Sequence, residues 1–199
     1  MIDFWNQRYS ETDFAYGEEP NVFFAKELSK LPAGALLLPA EGEGRNAVFA
    51  ANSGWSVTAF DSSSAAKSKA ETLGKENEVS FRYDVLDIRT AEFPANKFDA
   101  VGLIYVHLPP QDRKALHTKI ADWLTPGGTV ILEAFNTSQL DNESGGPQNS
   151  EMLYTPEILR EDFADFDIVY NYECTTILAE GKYHQGKADV VRFLATKKS

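Results

Sequence analysis

The pattern of apolar and polar positions changes along the chain. Segments in which apolar residues alternate with polar ones or run continuously are followed by segments with a helical repeat, and this order recurs. Short β-rich or continuously apolar runs alternate with helical segments from residue 35 onward. The predicted strands are 36–38, 55–60, 79–83, 98–104 and 129–135, followed by two longer ones at about 166–178 and 188–196. Continuous apolar runs such as 98–104 are typical of central parallel strands.

Helix start and stop signals separate these strands. A helix over 46–53 ends at Gly54, and a serine among Ser62, Ser63 and Ser64 caps the next helix. Pro109-Pro110 begins a later helix, and Thr155-Pro156-Glu157 combines a cap, a first-turn proline and an acid. We predict an α/β fold with five strand–helix units: a doubly wound, mainly parallel seven-stranded sheet with an antiparallel last strand.

The chain length indicates how these elements are organised. With 199 residues, 43% of them hydrophobic, one domain over 1–199 is expected. Residues 35–199 form its core, and the aromatic-rich residues 1–34, with helices at 2–9 and 20–30, form an N-terminal helical lid. The polar, glycine-containing stretch 137–150 is predicted to be a mobile loop.

Composition narrows the class of partner. The formal net charge is −11 and basic residues do not cluster, so we expect no nucleic-acid partner. No apolar run reaches the roughly 20 residues of a membrane helix, and the first residues lack the features of a signal peptide. The single cysteine, Cys174, and the scattered histidines show no metal-ligand spacing. We expect a cytoplasmic protein, a monomer or homodimer, with neither a metal nor a membrane partner.

A glycine turn follows the first predicted strand. Glu41-Gly42-Glu43-Gly44 connects the leucine run to the next helix, and such a turn lets a ligand approach the backbone beside a helix N-terminus. Ligands of doubly wound sheets bind at the carboxyl ends of the strands, next to this turn. The sequence therefore predicts a ligand site here.

Two acids at neighbouring strand ends indicate an adenosine group. Asp61 ends the second strand, where a carboxylate accepts hydrogen bonds from ribose hydroxyls. Asp84 follows the third predicted strand, where it and the backbone of Val85 could contact adenine. Gly42-x-Gly44-x-x-Ala47 also satisfies the dinucleotide fingerprint, so these residues alone leave NAD and S-adenosylmethionine both open.

The terminal hairpin and Leu124-Thr125-Pro126-Gly127-Gly128 distinguish the two cofactors, and no length remains for a separate catalytic domain. Residues 35–199 resemble the class I S-adenosylmethionine-dependent methyltransferases. Trp5-Asn6-x-Arg8-Tyr9, His107-Leu108-Pro109-Pro110 and Glu180-Gly181-x-x-His184-x-Gly186 are similar to bacterial tellurite-resistance and thiopurine-type methyltransferases. The resemblance implies S-adenosylmethionine as cofactor and a small, often soft methyl acceptor.

The resemblance also implies a set of site residues. The cofactor-binding residues are Glu41, Gly42, Gly44, Asn46, Asp61, Ser62, Asp84 and Val85. Position in the chain, rather than the resemblance, makes Trp5, Tyr9, Tyr16 and Arg45 candidates for the substrate pocket, and His107 and His184 candidates for catalysis. Compared with the family's usual Asp-Leu-Gly-Cys-Gly-x-Gly turn, Leu38 replaces the acid and Ala40 the first glycine, and Glu41 is the nearest substitute for the acid.

The function predicted is methyl transfer from S-adenosylmethionine to a small molecule such as a thiol, a chalcogen oxyanion or a small acid. An NAD-binding oxidoreductase or nucleotide-sensing domain is one alternative. A cofactor-binding module without catalytic activity is another, because of the departures at Leu38 and Ala40.

Overall fold

The fold is that of a computed structural model, which describes residues 2–198. Its strands are β1 (Ala35–Pro39), β2 (Ser56–Asp61), β3 (Arg82–Val85), β4 (Phe98–Ile104), β5 (Leu124–Phe135), β6 (Phe166–Glu180) and β7 (His184–Lys197). Its α-helices are α1 (Ile2–Tyr9), α2 (Val22–Leu28), α3 (Arg45–Asn52), α4 (Ser64–Glu76), α5 (Pro110–Trp123) and α6 (Pro156–Asp162). Short 3-10 helices span Thr137–Asp141 and Ser150–Met152.

The strands form one seven-stranded sheet in the order β3-β2-β1-β4-β5-β7-β6. Strands β1 to β5 are parallel, and β7 lies antiparallel between β5 and β6. The predicted fold class, a doubly wound sheet with an antiparallel last strand, is confirmed.

Alternating side chains of the central strands build a core on each face of the sheet. Leu37 packs with α5 and α6 residues, whereas its neighbours Leu36 and Leu38 pack with α2, α3 and α4 residues. All three leucines are almost completely buried. Both faces are covered because successive β-strand side chains point to opposite sides.

The structure differs from the prediction around β3. This strand begins at Arg82 rather than at residue 79, because its ladder with β2 joins Thr58 to Arg82 and Asp61 to Val85. The Leu86 amide extends the pairing by donating to the Asp61 carbonyl at 2.9 Å. A loop rather than a helix connects β3 to β4, so one of the predicted strand–helix units is absent from the described chain.

Within residues 2–198, no helix combines the length and apolarity needed to cross a bilayer. The same residues hold no group of three or more histidine, cysteine or acidic side chains arranged to bind a metal ion.

Candidate active site

A cavity of about 650 Å³ lies at the carboxyl ends of the parallel strands. The β1–α3 turn, the end of β2 and the loop after β3 line one end of it. The loop after β4, residues 143–147 and the β6–β7 turn line the other, and the N-terminal segment contributes its aromatic side chains to the wall. Its size lies within the range of small-molecule sites. The two ends are called here the cofactor end and the acceptor end.

The glycine turn has a backbone that requires glycine. Gly42 and Gly44 have φ of +65° and +92°. A Cβ on Gly42 would lie 2.8 Å from the Tyr9 hydroxyl, and one on Gly44 would lie 2.7 Å from the Cβ of Ala70. Ala40, in place of the family's first glycine, also has a left-handed φ of +51°, a conformation that costs an L-residue roughly 1–2 kcal/mol.

Asp61 anchors this turn from the end of β2. Its Oδ2 accepts the Gly42 amide at 3.2 Å and its Oδ1 accepts the Ser63 amide at 2.9 Å. Burial raises the pKa of this carboxyl, and the hydrogen bonds to its oxygens oppose that shift. A carboxylate offers about four acceptor positions, and Asp61 borders the cavity, where a hydroxyl group could also donate to it. Ser62, next to Asp61, also lines the cavity.

Glu41 caps the N-terminus of α3 instead of standing alone in the turn. Its Oε1 accepts the amides of Asn46 and Ala47 at 2.9 and 2.8 Å, and Oε2 accepts Asn46 Nδ2 at 3.3 Å. Burial raises its pKa to about 7, with these hydrogen bonds acting in the opposite direction. Asn46 is therefore a support for Glu41, although both line the cavity.

The acid placed at the adenine position by sequence does not line the cavity. Asp84 lies within β3 and pairs with Arg82 at 2.7 Å, and Val85 is also outside the lining. Because β3 begins later than predicted, Leu86 and Asp87 follow the strand and border the cavity instead. Adenine contact by Asp84 and Val85 stays a prediction, which the cavity lining does not support.

Asp87 borders the cavity after β3, and a neighbouring arginine fixes its carboxylate. Arg89 pairs with it at 2.5 Å, and this hydrogen-bonded arginine lowers the pKa of the Asp87 carboxyl to about 2. The carboxylate is ionised at neutral pH. Asp87 was not among the predicted site residues, because Asp84 and Asp87 are both acids near the end of the predicted third strand and the sequence does not distinguish them.

His184 provides a neutral imidazole at the acceptor end. Its Nδ1 lies 3.3 Å from Glu180 Oε2, and a carboxylate can only accept, so Nδ1 carries the proton and Nε2 carries the lone pair. Within the described chain, Nε2 makes no hydrogen bond. The imidazole ring packs against Tyr16 and Tyr105, with ring centroids 4.5 and 4.6 Å away. Burial lowers the His184 pKa, partly offset by Glu180.

His107 lines the same cavity but has no nitrogen available for catalysis. Its Nδ1 donates to the Met152 carbonyl at 2.8 Å, and its Nε2 accepts the Phe135 amide at 3.2 Å. Burial lowers its pKa to about 4. The catalytic role of His107 stays a prediction that this geometry does not support: the histidine joins the 3-10 helix before α6 to the end of β5.

Tyr105 is a cavity residue that the sequence analysis did not select. It follows β4 with a left-handed φ of +54°, and its hydroxyl donates to buried Glu133 at 3.0 Å. Asn21 Nδ2 donates to the same Glu133 oxygen at 2.6 Å, and Arg192 pairs with the other at 2.6 Å. A strained non-glycine residue at a strand end is a functional-site signal that only coordinates reveal.

The four predicted pocket residues divide into two groups. Trp5, Tyr9 and Tyr16 line the cavity, with Trp5 and Tyr9 stacked 5.5 Å apart. Arg45 also lines it, but it pairs with Glu180 at 2.9 Å and donates to the Tyr16 carbonyl at 3.1 Å. Its charge is neutralised within the protein, so it positions Glu180 and the N-terminal segment.

The N-terminal segment is fastened across the cavity from both sides. The Ala15 amide donates to Glu43 at 2.8 Å, and the Ala15 carbonyl accepts the Tyr183 amide at 3.3 Å. A Cβ on Gly17 would lie 3.1 Å from the Gly181 nitrogen, so the segment and the β6–β7 turn are in backbone contact. The N-terminal segment therefore lies over the cavity, and its role as a lid stays a prediction.

Comparison with known proteins identifies the class. Residues 39–128 match a family model described as a methyltransferase domain. A curated relative, phosphoethanolamine N-methyltransferase of Plasmodium falciparum, is 26% identical in an alignment of 147 positions that covers 64% of this chain and 53% of the relative. The chain therefore spans about half the length of the curated relative it matches.

Two solved structures share the fold. An S-adenosylmethionine-dependent methyltransferase from Methanosarcina mazei has a TM-score of 0.70 and 18% identity, over 90% of this chain and 99% of that one. TehB from Haemophilus influenzae has a TM-score of 0.73 and 17% identity, over 99% of this chain and 67% of that one. The family match and the shared fold support the predicted class I methyltransferase domain, and S-adenosylmethionine is the cofactor that this class uses. Both predictions are confirmed.

The residues of the cofactor end are compatible with this cofactor. Gly42 lines the cavity and has no side chain, so a ligand can reach the backbone there. Asp61 has acceptor positions for ribose hydroxyls, and ionised Asp87 borders the same cavity. Glu41 is the acidic group nearest the turn that could hold the cofactor's amino group, in place of the acid replaced by Leu38.

Proposed function

We propose that the protein transfers the methyl group of S-adenosylmethionine to a small acceptor bound at the acceptor end, with His184 as the proton acceptor. The observation that carries this proposal is the pairing of His184 with Glu180, which leaves Nε2 with a lone pair inside an aromatic-walled cavity. The curated relative's name specifies an amine-type acceptor for that protein. A neutral base at His184 would assist any acceptor that must lose a proton before or during methylation, an amine or a thiol alike.

Of the predicted acceptor classes, a thiol is the one that this arrangement favours. Thiols are largely protonated at neutral pH, so removal of the proton by Nε2 increases their nucleophilicity. A chalcogen oxyanion or a small acid is already ionised to a large extent and gains less from a base. The cofactor, when bound, supplies a methyl group on a positively charged sulfur.

The chain's other residues orient the reactants and exclude water. Tyr16, Tyr105 and Phe135 surround the His184 ring, with centroid distances of 4.5 to 5.3 Å. The fastened N-terminal segment covers this cluster, which supports a dry site in which a cation loses its charge during the reaction. Asp61, Glu41 and Asp87 are proposed to hold the cofactor, and Gly42 and Gly44 to shape its turn.

Binding and turnover measurements test the proposal. Calorimetry should show binding of S-adenosylhomocysteine and none of NAD. Labelled S-adenosylmethionine should methylate one or more members of a panel of aromatic and aliphatic thiols, with selenite and small carboxylic acids as comparison acceptors. Tight NAD binding without a response to S-adenosylhomocysteine would contradict the proposal. Cofactor binding without transfer to any member would favour the non-catalytic module.

A further inference from the structure

Four cationic side chains line the cavity: Arg8, Arg45, Arg89 and Lys182. Three of them are neutralised by carboxylates of the protein. Arg45 pairs with Glu180 at 2.9 Å, Arg89 with Asp87 at 2.5 Å and Lys182 with Glu11 at 2.9 Å. Arg8 differs, because no carboxylate oxygen of the described residues lies within 4 Å of its guanidinium.

The guanidinium of Arg8 is held rigidly by aromatic groups. Its Cζ lies 3.6 Å from the Tyr183 ring centroid and 5.0 Å from that of Phe4, and Nη1 donates to the Tyr16 hydroxyl at 3.0 Å. The side chain is half-buried. Of its five N–H groups, only one has a protein acceptor in the described chain, so four donors are left for a ligand or for water.

Arg8 lies on the acceptor side of the cavity. The Tyr16 ring that it contacts is also the ring that packs against His184 at 4.5 Å, and Tyr183 immediately precedes His184. An acceptor whose nucleophile reached His184 Nε2 would therefore extend toward Arg8 along Tyr16. A guanidinium fixed in such a place, without a carboxylate in direct contact, suits an oxyanion that presents two oxygens to it, which it can bind through two parallel hydrogen bonds.

We propose that Arg8 binds an anionic oxygen group of the methyl acceptor and makes the site selective for negatively charged acceptors. The group is either the carboxylate of an organic acceptor or an inorganic chalcogen oxyanion. That the bound anion belongs to a methyl acceptor rests on the proposed function. Anion binding by Arg8 itself can be measured without turnover.

Benzoate and benzamide are matched probes, because they share shape and an aromatic ring but differ in charge. Calorimetric titration of each into the protein saturated with S-adenosylhomocysteine should give a preference for benzoate of about tenfold or more. Arg8→Gln should abolish that preference and leave S-adenosylhomocysteine affinity unchanged. Arg8→Lys keeps the positive charge but loses the paired N–H donors of the guanidinium, so it should keep part of the preference for benzoate.

Lys182→Gln is the control, because it removes a cavity cation that is already paired with Glu11. It should keep the full preference for benzoate. Selenite is then added as a competitor. If it displaces benzoate from the wild type but has no effect on Arg8→Gln, the ligand is a small oxyanion. If benzoate stays bound in the presence of selenite, the ligand is a carboxylate. Equal or absent binding of the two probes by the wild type, or a preference that persists in Arg8→Gln, would overturn the inference.

The same titrations without S-adenosylhomocysteine separate the two proposals. If S-adenosylhomocysteine fails to bind, the proposed function fails, while a benzoate preference that depends on Arg8 would still support the anion site.

Discussion

The two ends of the cavity are built differently. The cofactor end is made from successive strand ends, and two of its contacts, Asp61 with the Gly42 amide and Glu41 with the Ala47 amide, join residues less than 20 positions apart. The acceptor end joins the two ends of the chain: Tyr16 lies 4.5 Å from His184, and Arg45 pairs with Glu180 across 135 positions. Local sequence therefore specifies the cofactor end, whereas the acceptor end exists only after the chain has folded.

Burial acts on titratable groups in the same way at the two ends. Buried Glu41 at the cofactor end is an acid whose pKa is raised to about 7, and burial lowers the pKa of His184 at the acceptor end. In both cases burial favours the neutral form.

The largest effect is expected for the acceptor-end histidine. His184→Gln should lower kcat/KM for a thiol by about 10²- to 10⁴-fold, because the general base is lost, with unchanged affinity for S-adenosylhomocysteine. Wild-type activity should fall as the pH drops through the lowered His184 pKa, below its ordinary value of 6.5. Steady-state kinetics against pH measure both effects.

His107→Gln is the matched control. Because His107 bonds only backbone groups, this change should cost about 1–3 kcal/mol of unfolding free energy while the folded protein keeps its activity. Equal kinetic losses in the two variants would contradict the separation of roles between the histidines.

At the cofactor end, Gly44→Ala should destabilise the protein by about 2–5 kcal/mol. The added Cβ meets Ala70 at 2.7 Å on the packed α3–α4 contact, and the φ of +92° disfavours an L-residue. Gly127→Ala, with φ of +80° but nothing within 4 Å of its Cβ, should cost only about 1–2 kcal/mol. Denaturant unfolding distinguishes steric from purely conformational cost; equal losses would argue against the close contact.

Glu41 gives the cofactor end a pH dependence of its own. Its pKa is about 7 in the fold against an ordinary 4.5, so the folded form binds more protons between these values and stability falls as pH rises from 4.5 to 7. The shift corresponds to at most roughly 3 kcal/mol. Glu41→Gln should remove this slope in unfolding free energy. An unchanged slope would show that other groups cause it.

Asp61→Ala should weaken S-adenosylhomocysteine binding by about 1–3 kcal/mol. The change removes the proposed ribose acceptor and leaves the amides of Gly42 and Ser63 without their partner. Calorimetry measures the affinity, and a melting curve checks that the variant is folded. Unchanged affinity would reject the ribose role.

The smallest effect separates two nearby acids. Asp87→Ala should weaken S-adenosylhomocysteine binding by about 0.5–1.5 kcal/mol, because Asp87 borders the cavity. Asp84→Ala, which loses only a surface pairing with Arg82, should leave the affinity unchanged. The opposite result would restore Asp84 to the adenine position and contradict the register of β3.

The sequence by itself determined the fold class, the glycine turn and the position of Asp61. These features are local: hydrophobic period identifies strands and helices, and the left-handed backbone at Gly42 and Gly44 favours glycine. The family motifs then selected S-adenosylmethionine over NAD.

Tertiary structure decided which chemically similar residues act. His107 and His184 are equally plausible in the sequence, and only their neighbours show that one has both nitrogens bonded to backbone while the other keeps a lone pair. Likewise, only the β2–β3 register brings Asp87 to the cavity, and only the pairing of the other cavity cations makes Arg8 distinct. Protonation and availability depend on partners distant in sequence, which no local pattern encodes.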